Sequence, residues 1–281
     1  MSRFATQRLG FALLVFVTIA VIVPIALVVG VIVVQGLSAI NAEFLFTAPR
    51  DGMRAGGIWP AIVGTFWLTI GTAIFSVPLG VAIAIYLSEY ARDNKFTRTI
   101  RLAIINLAGI PSVVYGLFGL GLFVLALGFG SSILAGSLTL SIMTLPVIIS
   151  TSEEALRSVP QSFRTVSVSL GGTKWQTIRK VVLPNALPGI ITGVILGLER
   201  AAGETAPILF TVAAFFLPQL PTSIFDKTMA LPYHLFVIST QVPGMPLQLQ
   251  FGTALVLMVF VLSMTLIATI IRSYYRRKRQ W

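Results

Sequence analysis

Arg200 and Glu204 stand four residues apart inside the apolar segment ALPGIITGVILGLERAAGETAPILFTVAAFFL, together with Glu199. A charge at the centre of a bilayer costs about 2.5–3.5 kcal/mol on insertion scales, so such groups turn toward a bundle interior or a water-filled path. Arginine and glutamate at i and i+4 meet on adjoining turns and offset one another, and a guanidinium that stays charged offers several donors to an oxyanion. At about 100° per residue, Gly189, Gly193, Gly197, Arg200, Glu204, Pro207 and Thr211 fall within an arc of about 80° on one continuous helix. The glycines allow a second helix to approach closely. Glu199 points about 100° away from Arg200 and needs a different partner. Two readings stand at this point: a pair that holds helices together by self-neutralisation, and a pair that faces a path.

The segment just before it, SVPQSFRTVSVSLGGTKWQTIRKVVLP, is basic and punctuated. Ser158 with Gln161 and Thr173 with Gln176 have the spacing of capping boxes. Pro160 suits a first helical turn, Gly171-Gly172 breaks the first helix, and Pro184 limits the second. The pattern predicts two short amphipathic helices about a glycine elbow. Phe163, Val166 and Leu170 share one face of the first, and Trp175, Ile178 and Val182 one face of the second, with Lys174, Arg179 and Lys180 mostly elsewhere. Such a loop either lies on headgroups, oriented by its basic residues, or forms a docking surface for a cytosolic partner.

The elements that must position these residues are membrane spans. The chain has 281 residues, is 56% hydrophobic and only 10% charged, and its mean hydropathy of +0.93 excludes an ordinary soluble domain. Arg3 and Arg8 precede an apolar run from Leu9 to Val34, too long for a signal-peptide core and without a small-residue cleavage site, so it reads as a retained anchor. Further spans are expected at Trp59 to Ser88, at Ile100 to Leu127 around Pro111, Gly116, Gly119 and Gly121, at Leu134 to Thr151, along the charged segment, and at Phe251 to Ile271. Residues 35–58 read as a loop, and residues 218–248 as a connector with a short helix on the outer interface. The fold class is therefore an all-α membrane protein of six transmembrane helices, one domain over 1–281, with the basic two-helix loop at 152–184 within it.

Six spans place both termini on one side. That side collects Arg92, Lys95, Arg98 and Arg101, the basic residues of the loop, and the tail RSYYRRKRQW; the other side has Arg50, Arg54 and Lys227. The positive-inside rule puts the termini and the loop in the cytoplasm. The net charge of +11 is thereby explained by topology and anionic membrane lipid, not by nucleic acid. With no cysteine and a single histidine, His234 beside Pro232 and Tyr233, neither a metal site nor a thiol nucleophile is expected, and His234 reads as an interfacial or packed residue. No GxxxxGK[ST] phosphate loop is present, so this chain is not expected to hydrolyse ATP itself.

Gly171, Val181 ten positions on, and Leu183-Pro184 are similar to the cytoplasmic signature of type I ABC importer membrane subunits, which couples to the ATPase. Thr165, Val166 and Ser167 stand where that signature opens with glutamate-alanine-alanine. The run Arg200-Ala201-Ala202-Gly203-Glu204-Thr205-Ala206-Pro207 resembles the phosphate-specific transport (Pst) permeases, and its Ala-Pro ending resembles the PstA type, where the PstC type continues from Gly-Glu-Thr with methionine. IYLSEYA and IPSVVYGLFGLGLF resemble the same permeases, and the resemblance covers most of residues 59–210.

That resemblance implies a permease half in the bacterial cytoplasmic membrane, with type I ABC importer architecture, that moves inorganic phosphate. It implies a PstC-like partner permease, a PstB-like ATPase dimer that holds ATP and magnesium, and a PstS-like extracytoplasmic binding protein, with no cofactor on this chain. It puts Arg200, Glu204 and Thr205 along the substrate path and Leu170, Gly171, Gly172, Trp175, Leu183 and Pro184 at the ATPase. Arg200 would meet the anion or its field, while Glu204 would hold Arg200 in place and weaken the field. Two alternatives compete with phosphate import: an ion-coupled transporter or channel for a small anion, and a type I permease for another oxyanion. The first leaves the two-helix loop unexplained. An intramembrane enzyme has no support, since Glu199, Glu204 and His234 lack ligand spacing and a nucleophile.

Overall fold

The computed structural model describes residues 3–277, and apart from one two-stranded hairpin its regular structure is helical. Helix α1 (Arg3–Gly36) is exposed along most of its apolar length and packs on the C-terminal helix. A short α2 (Ala42–Phe46), capped by Asn41 Oδ1 accepting from Phe44 N at 2.8 Å, leads to strands β1 (Pro49–Arg50) and β2 (Ala55–Gly56). The centre is built from α3 (Trp59–Ile85), which ends in a π-helical turn at Tyr86–Tyr90, then α4 (Lys95–Ala108) and α5 (Ser112–Gly119), which continues as a π-helical stretch to Ala126. Next come α6 (Ile133–Arg157), α7 (Gln161–Ser169), α8 (Lys174–Thr177) with a π-helical turn at Ile178–Val182, and α9 (Leu183–Gly203). The chain closes with α10 (Ala206–Thr211), α11 (Leu231–Thr240) and α12 (Leu247–Arg277). Lys278 and Arg279 of the basic tail lie outside the described residues.

Among the described residues, five helical segments are long and apolar enough to cross a membrane, and α4 with α5 makes a sixth if a pair bent by 102° is counted as one span. The six-helix expectation stands on that pair, but the third span, expected from Ile100 to Leu127 as one locally bent helix, is broken into two helices. Gly109, Ile110 and Pro111 interrupt it, because Pro111 has no N–H and disfavours helix in the residue before it. Tyr115 Oη on α5 donates to Leu107 O on α4 at 2.6 Å and fixes the corner.

The core runs along α3, α6 and α9, whose contacts are the most extensive in the molecule. Thr65, Thr69, Thr72 and Ser76 form a buried row on α3, each hydroxyl donating to the carbonyl four residues back. Ser141 of α6 donates across to Thr72 O at 3.1 Å. Hydroxyls that satisfy themselves on their own helix allow two apolar helices to pack closely without orphaned donors. A second buried cluster at the cytoplasmic end joins Ala84 of α3, Leu156 of α6, Val159, Val182, and Ala186 and Ile190 of α9.

Several boundaries differ from expectation. The fourth span runs to Arg157, so the first residues of the 152–184 loop are helical and continuous with α6. Ser158 does not cap α7: its Oγ donates to Ala155 O, and Pro160 precedes the helix without a side-chain cap. The Thr173–Gln176 capping box is formed in both directions. Pro184 does not end a second loop helix. It lies inside one helical run over residues 174–203, just after the π turn at Ile178–Val182. Helix α11 is not laid on the outer interface: Leu231, Tyr233, His234, Val237 and Ile238 are buried, and Leu231 N donates to Thr65 Oγ1 at 2.8 Å.

Candidate functional site

Gly189, Gly193 and Gly197 form the seam expected of them, since a Cβ on any of the three would press on α6, meeting Ala155, Thr151 and Ile148 respectively. The wheel does not extend beyond that seam. Helix α9 stops at Gly203, and Glu204 is extended at φ −77°, ψ 133°, so Pro207 and Thr211 belong to a separate helix. Pro207 stands in the first turn of α10, where its missing N–H costs no helical bond. The charges nevertheless meet: Arg200 Nε donates to Glu204 Oε1 at 3.3 Å, because the chain turns back over the last helical turn of α9. Thr205 follows at the break and hydrogen-bonds neither through its hydroxyl among the described residues.

Arg200 keeps 38% of its side chain exposed against 18% for Glu204. Its one hydrogen bond among the described residues uses Nε, leaving the two terminal nitrogens of the fork open. The guanidinium is close enough to Tyr115, at the corner of α4 and α5, for its charge to act on the phenol. Nothing in the sequence reading assigned Tyr115 a role; its place in IPSVVYGLFGLGLF was the available signal. Glu199 points away, and its Oε1 is buried with no hydrogen-bond partner among the described residues, which agrees with its displacement on the wheel. The site pairs a guanidinium that has two unused terminal nitrogens with one carboxylate, an arrangement suited to passing contact with an anion and not to bond-making.

At the cytoplasmic end, Leu170 is 83% exposed and Trp175 56% exposed. Ile178 and Val182, expected on the same face as Trp175, are buried against the body. Leu183 packs against the second buried cluster and Pro184 begins α9, so of the expected coupling residues Leu170, Gly171, Gly172 and Trp175 form the elbow and Leu183 and Pro184 its root. Gly171 has φ +81° and open space where a Cβ would stand, whereas a Cβ on Gly172 would press on Ser167 O. Between the two loop helices runs a groove of about 620 Å³ whose apolar lining includes Phe163, Val166 and Leu170, with Lys180 at its edge. No acidic residue occurs from Ser158 to Pro184.

His234 is 2% exposed, and burial lowers its pKa to about 4. Among the described residues no group of three or more histidine, aspartate and glutamate side chains gathers in a way that would hold a metal ion.

Over residues 76–280 the chain matches the family described as binding-protein-dependent transport system inner membrane component. It is 36% identical over 218 residues to the probable ABC transporter permease protein YqgI of Bacillus subtilis strain 168, spanning 73% of this chain and 74% of that protein. To the phosphate transport system permease protein PstA 1 of Mycobacterium tuberculosis H37Rv it is 37% identical over 227 residues, spanning 80% of this chain and 73% of that one. The fold is similar to a chain of a bacterial ABC transporter involved in the import of the acidic polysaccharide alginate, with TM-score 0.68 at 13% identity over 97% of this chain and 99% of that chain. It is also similar to a chain of the inward-facing MetNI methionine ABC transporter, with TM-score 0.62 at 18% identity over 78% of this chain and 97% of the other.

Proposed function

The chain belongs to the family of inner membrane components of binding-protein-dependent transport systems, and we propose that within that family its cargo is inorganic phosphate. It is a multi-pass permease subunit of an ABC importer in the bacterial inner membrane, non-catalytic, and works with ATPase and extracytoplasmic binding-protein partners. That membership displaces the ion-coupled transporter as the class of machine. Phosphate itself is supported by the PstA relatives, and the observation that carries it is the open guanidinium fork of Arg200 beside Glu204.

In this reading a PstC-like permease completes the path, a PstS-like protein delivers phosphate, and a PstB-like ATPase dimer docks on the elbow through Leu170, Gly171, Gly172 and Trp175. Closure of the ATPases moves the loop, and because residues 174–203 form one helical run through the π turn at Ile178–Val182, the movement has a continuous helical path to Arg200. Arg200 meets the anion through its terminal nitrogens. Glu204 orients the guanidinium and offsets part of its field, so the anion leaves again, and Thr205 lies beside the path at the helix break. The test is uptake by the four-component complex in liposomes loaded with ATP, with arsenate, sulfate and molybdate as competitors. Phosphate uptake that sulfate and molybdate in excess leave unchanged is expected; preferential uptake of another oxyanion would overturn the cargo and leave the family intact.

A further inference from the structure

We propose that the π-helical turn Tyr86–Tyr90, at the cytoplasmic end of α3, is the joint that carries movement of the elbow loop into the transmembrane path, with Glu89 as its positioning residue. The inference rests on the reading of the elbow as the ATPase docking surface and adds to it the route by which docking is felt. Three elements grip this one turn from outside. From α7, Arg164 binds Glu89 through both arms of its fork, Nε to Oε2 at 3.2 Å and Nη2 to Oε1 at 2.6 Å. The same guanidinium donates to Val159 O at 2.7 Å and Leu156 O at 2.9 Å, at the root of the loop. From α8, Lys174 Nζ lies 4.8 Å from the centre of the Tyr90 ring. From α4, Arg101 Nη2 donates to Leu87 O at 3.0 Å and pairs with Glu153 of α6, which also holds Arg157.

Exposed ion pairs contribute little, but the side chains of Arg164 and Glu89 are only 15% and 8% exposed. A bidentate, buried pair fixes orientation as well as distance. A π turn is a poor ladder on its own and occurs frequently at functional sites, which fits a segment held from several sides. Both halves of the elbow therefore grip α3, and through Arg101 the same turn grips α4. Helix α4 is tied to α5 by the Tyr115–Leu107 hydrogen bond, and α5 packs at Gly116 against Ala206 and Pro207 of α10, the helix that follows the charged site. A contiguous route of hydrogen bonds and packed helices thus runs from the loop to the neighbourhood of the charged site, beside the helical run of α9.

Contiguity alone does not establish coupling, so the test must read coupling. The complete complex is reconstituted in liposomes with inorganic phosphate as the probe, and ATP hydrolysed per phosphate imported is measured alongside hydrolysis without binding protein. In Glu89→Gln the ATPase still copurifies, unstimulated hydrolysis is parental, and the ATP cost per phosphate rises about tenfold; Glu89→Asp, which keeps the charge, recovers part of the loss. A parental ratio in Glu89→Gln overturns the proposal, as does a loss of hydrolysis and uptake in the same proportion. If Glu89→Gln yields no complex, Tyr90→Leu removes only the Lys174 contact at a half-exposed ring and must itself raise the ratio; an unchanged ratio overturns the proposal. Failure of the docking reading is separate: Leu170→Glu would then still copurify the ATPase, whatever Glu89→Gln does.

Discussion

Replacing Arg200 with glutamine keeps a long polar side chain and removes the charge, and the double change with Glu204→Gln separates the two roles the pair can have. At 3.3 Å, with 38% and 18% of the side chains exposed, Arg200 and Glu204 sit between bulk water and protein. In that range a pair of unit charges attracts by about 1–4 kcal/mol. A phosphate oxygen at the open end of the fork gains a comparable amount per charge, and glutamine retains only neutral hydrogen bonds. A loss of about 3 kcal/mol, at 1.4 kcal/mol per tenfold, predicts that phosphate uptake falls about a hundredfold in Arg200→Gln. The complex still assembles, because Glu204 stands at a helix end where the chain is partly open and is not sealed in the core. If Arg200 only neutralised Glu204, removing both charges would restore uptake, since no lone charge remains in the membrane. If Arg200 serves the anion, the double variant stays about as inactive as the single one. The assay is initial-rate phosphate uptake by the reconstituted complex, normalised to copurified ATPase. Uptake by the double variant near the parental rate refutes the role given to Arg200.

Gly171→Val is expected to uncouple hydrolysis from uptake while insertion persists, through about 1–2 kcal/mol of left-handed backbone strain, and Gly171→Asn, which tolerates that conformation, is expected to stay near parental; equal behaviour of the two would show that φ is not what matters. Thr165 is exposed with its hydroxyl on Gln161 O, so Thr165→Glu is expected to be tolerated or to strengthen ATPase copurification, and loss of assembly would show that the loop docks differently. His234 lies outside the candidate spans with a folded pKa of about 4 against 6.5 unfolded. Its neutral form is the native one, so its contribution is complete above about pH 6.5 and is lost as pH falls toward 4, by about 3 kcal/mol in all. Thermal unfolding of the purified complex between pH 4.5 and 7.5 should show that slope, and His234→Gln should flatten it.

What was legible in the sequence was whatever a local pattern decides. Hydropathy gave the spans, the glycine seam on α9 gave the approach of α6, and Thr173 with Gln176 gave the one capping box that forms, because each of these depends on neighbours a few residues away. The errors lie where a local signal met a competing one. Ser158 and Gln161 have capping spacing, but Pro160 ends α6 and begins α7, and Ser158 is spent on the carbonyl of Ala155. The run from Ile100 to Leu127 is apolar throughout, and only the pairing of Gly109 with Pro111 distinguished a corner from a kink. At Gly171 the constraint is a positive φ with open space beside it, which spacing along the chain does not show.

The charged site was legible in its members and not in its geometry. A wheel drawn through Thr211 assumes that the helix continues, yet Glu204 is extended, so the pair meets across a turn of chain and Thr205 falls at a break. Pro207 held the signal, because proline is favoured in the first turn of a helix and so marks the start of a new one. Sequence spacing gave no access to the contacts that span long distances in the chain: Arg164 with Glu89 and Arg101 with Glu153. Counted by topology, those basic residues serve orientation in the membrane. Placed in three dimensions, Arg164 and Arg101 fasten the ends of different helices to one turn, so the positive charge that sets which way the chain faces also sets how its cytoplasmic loop is attached.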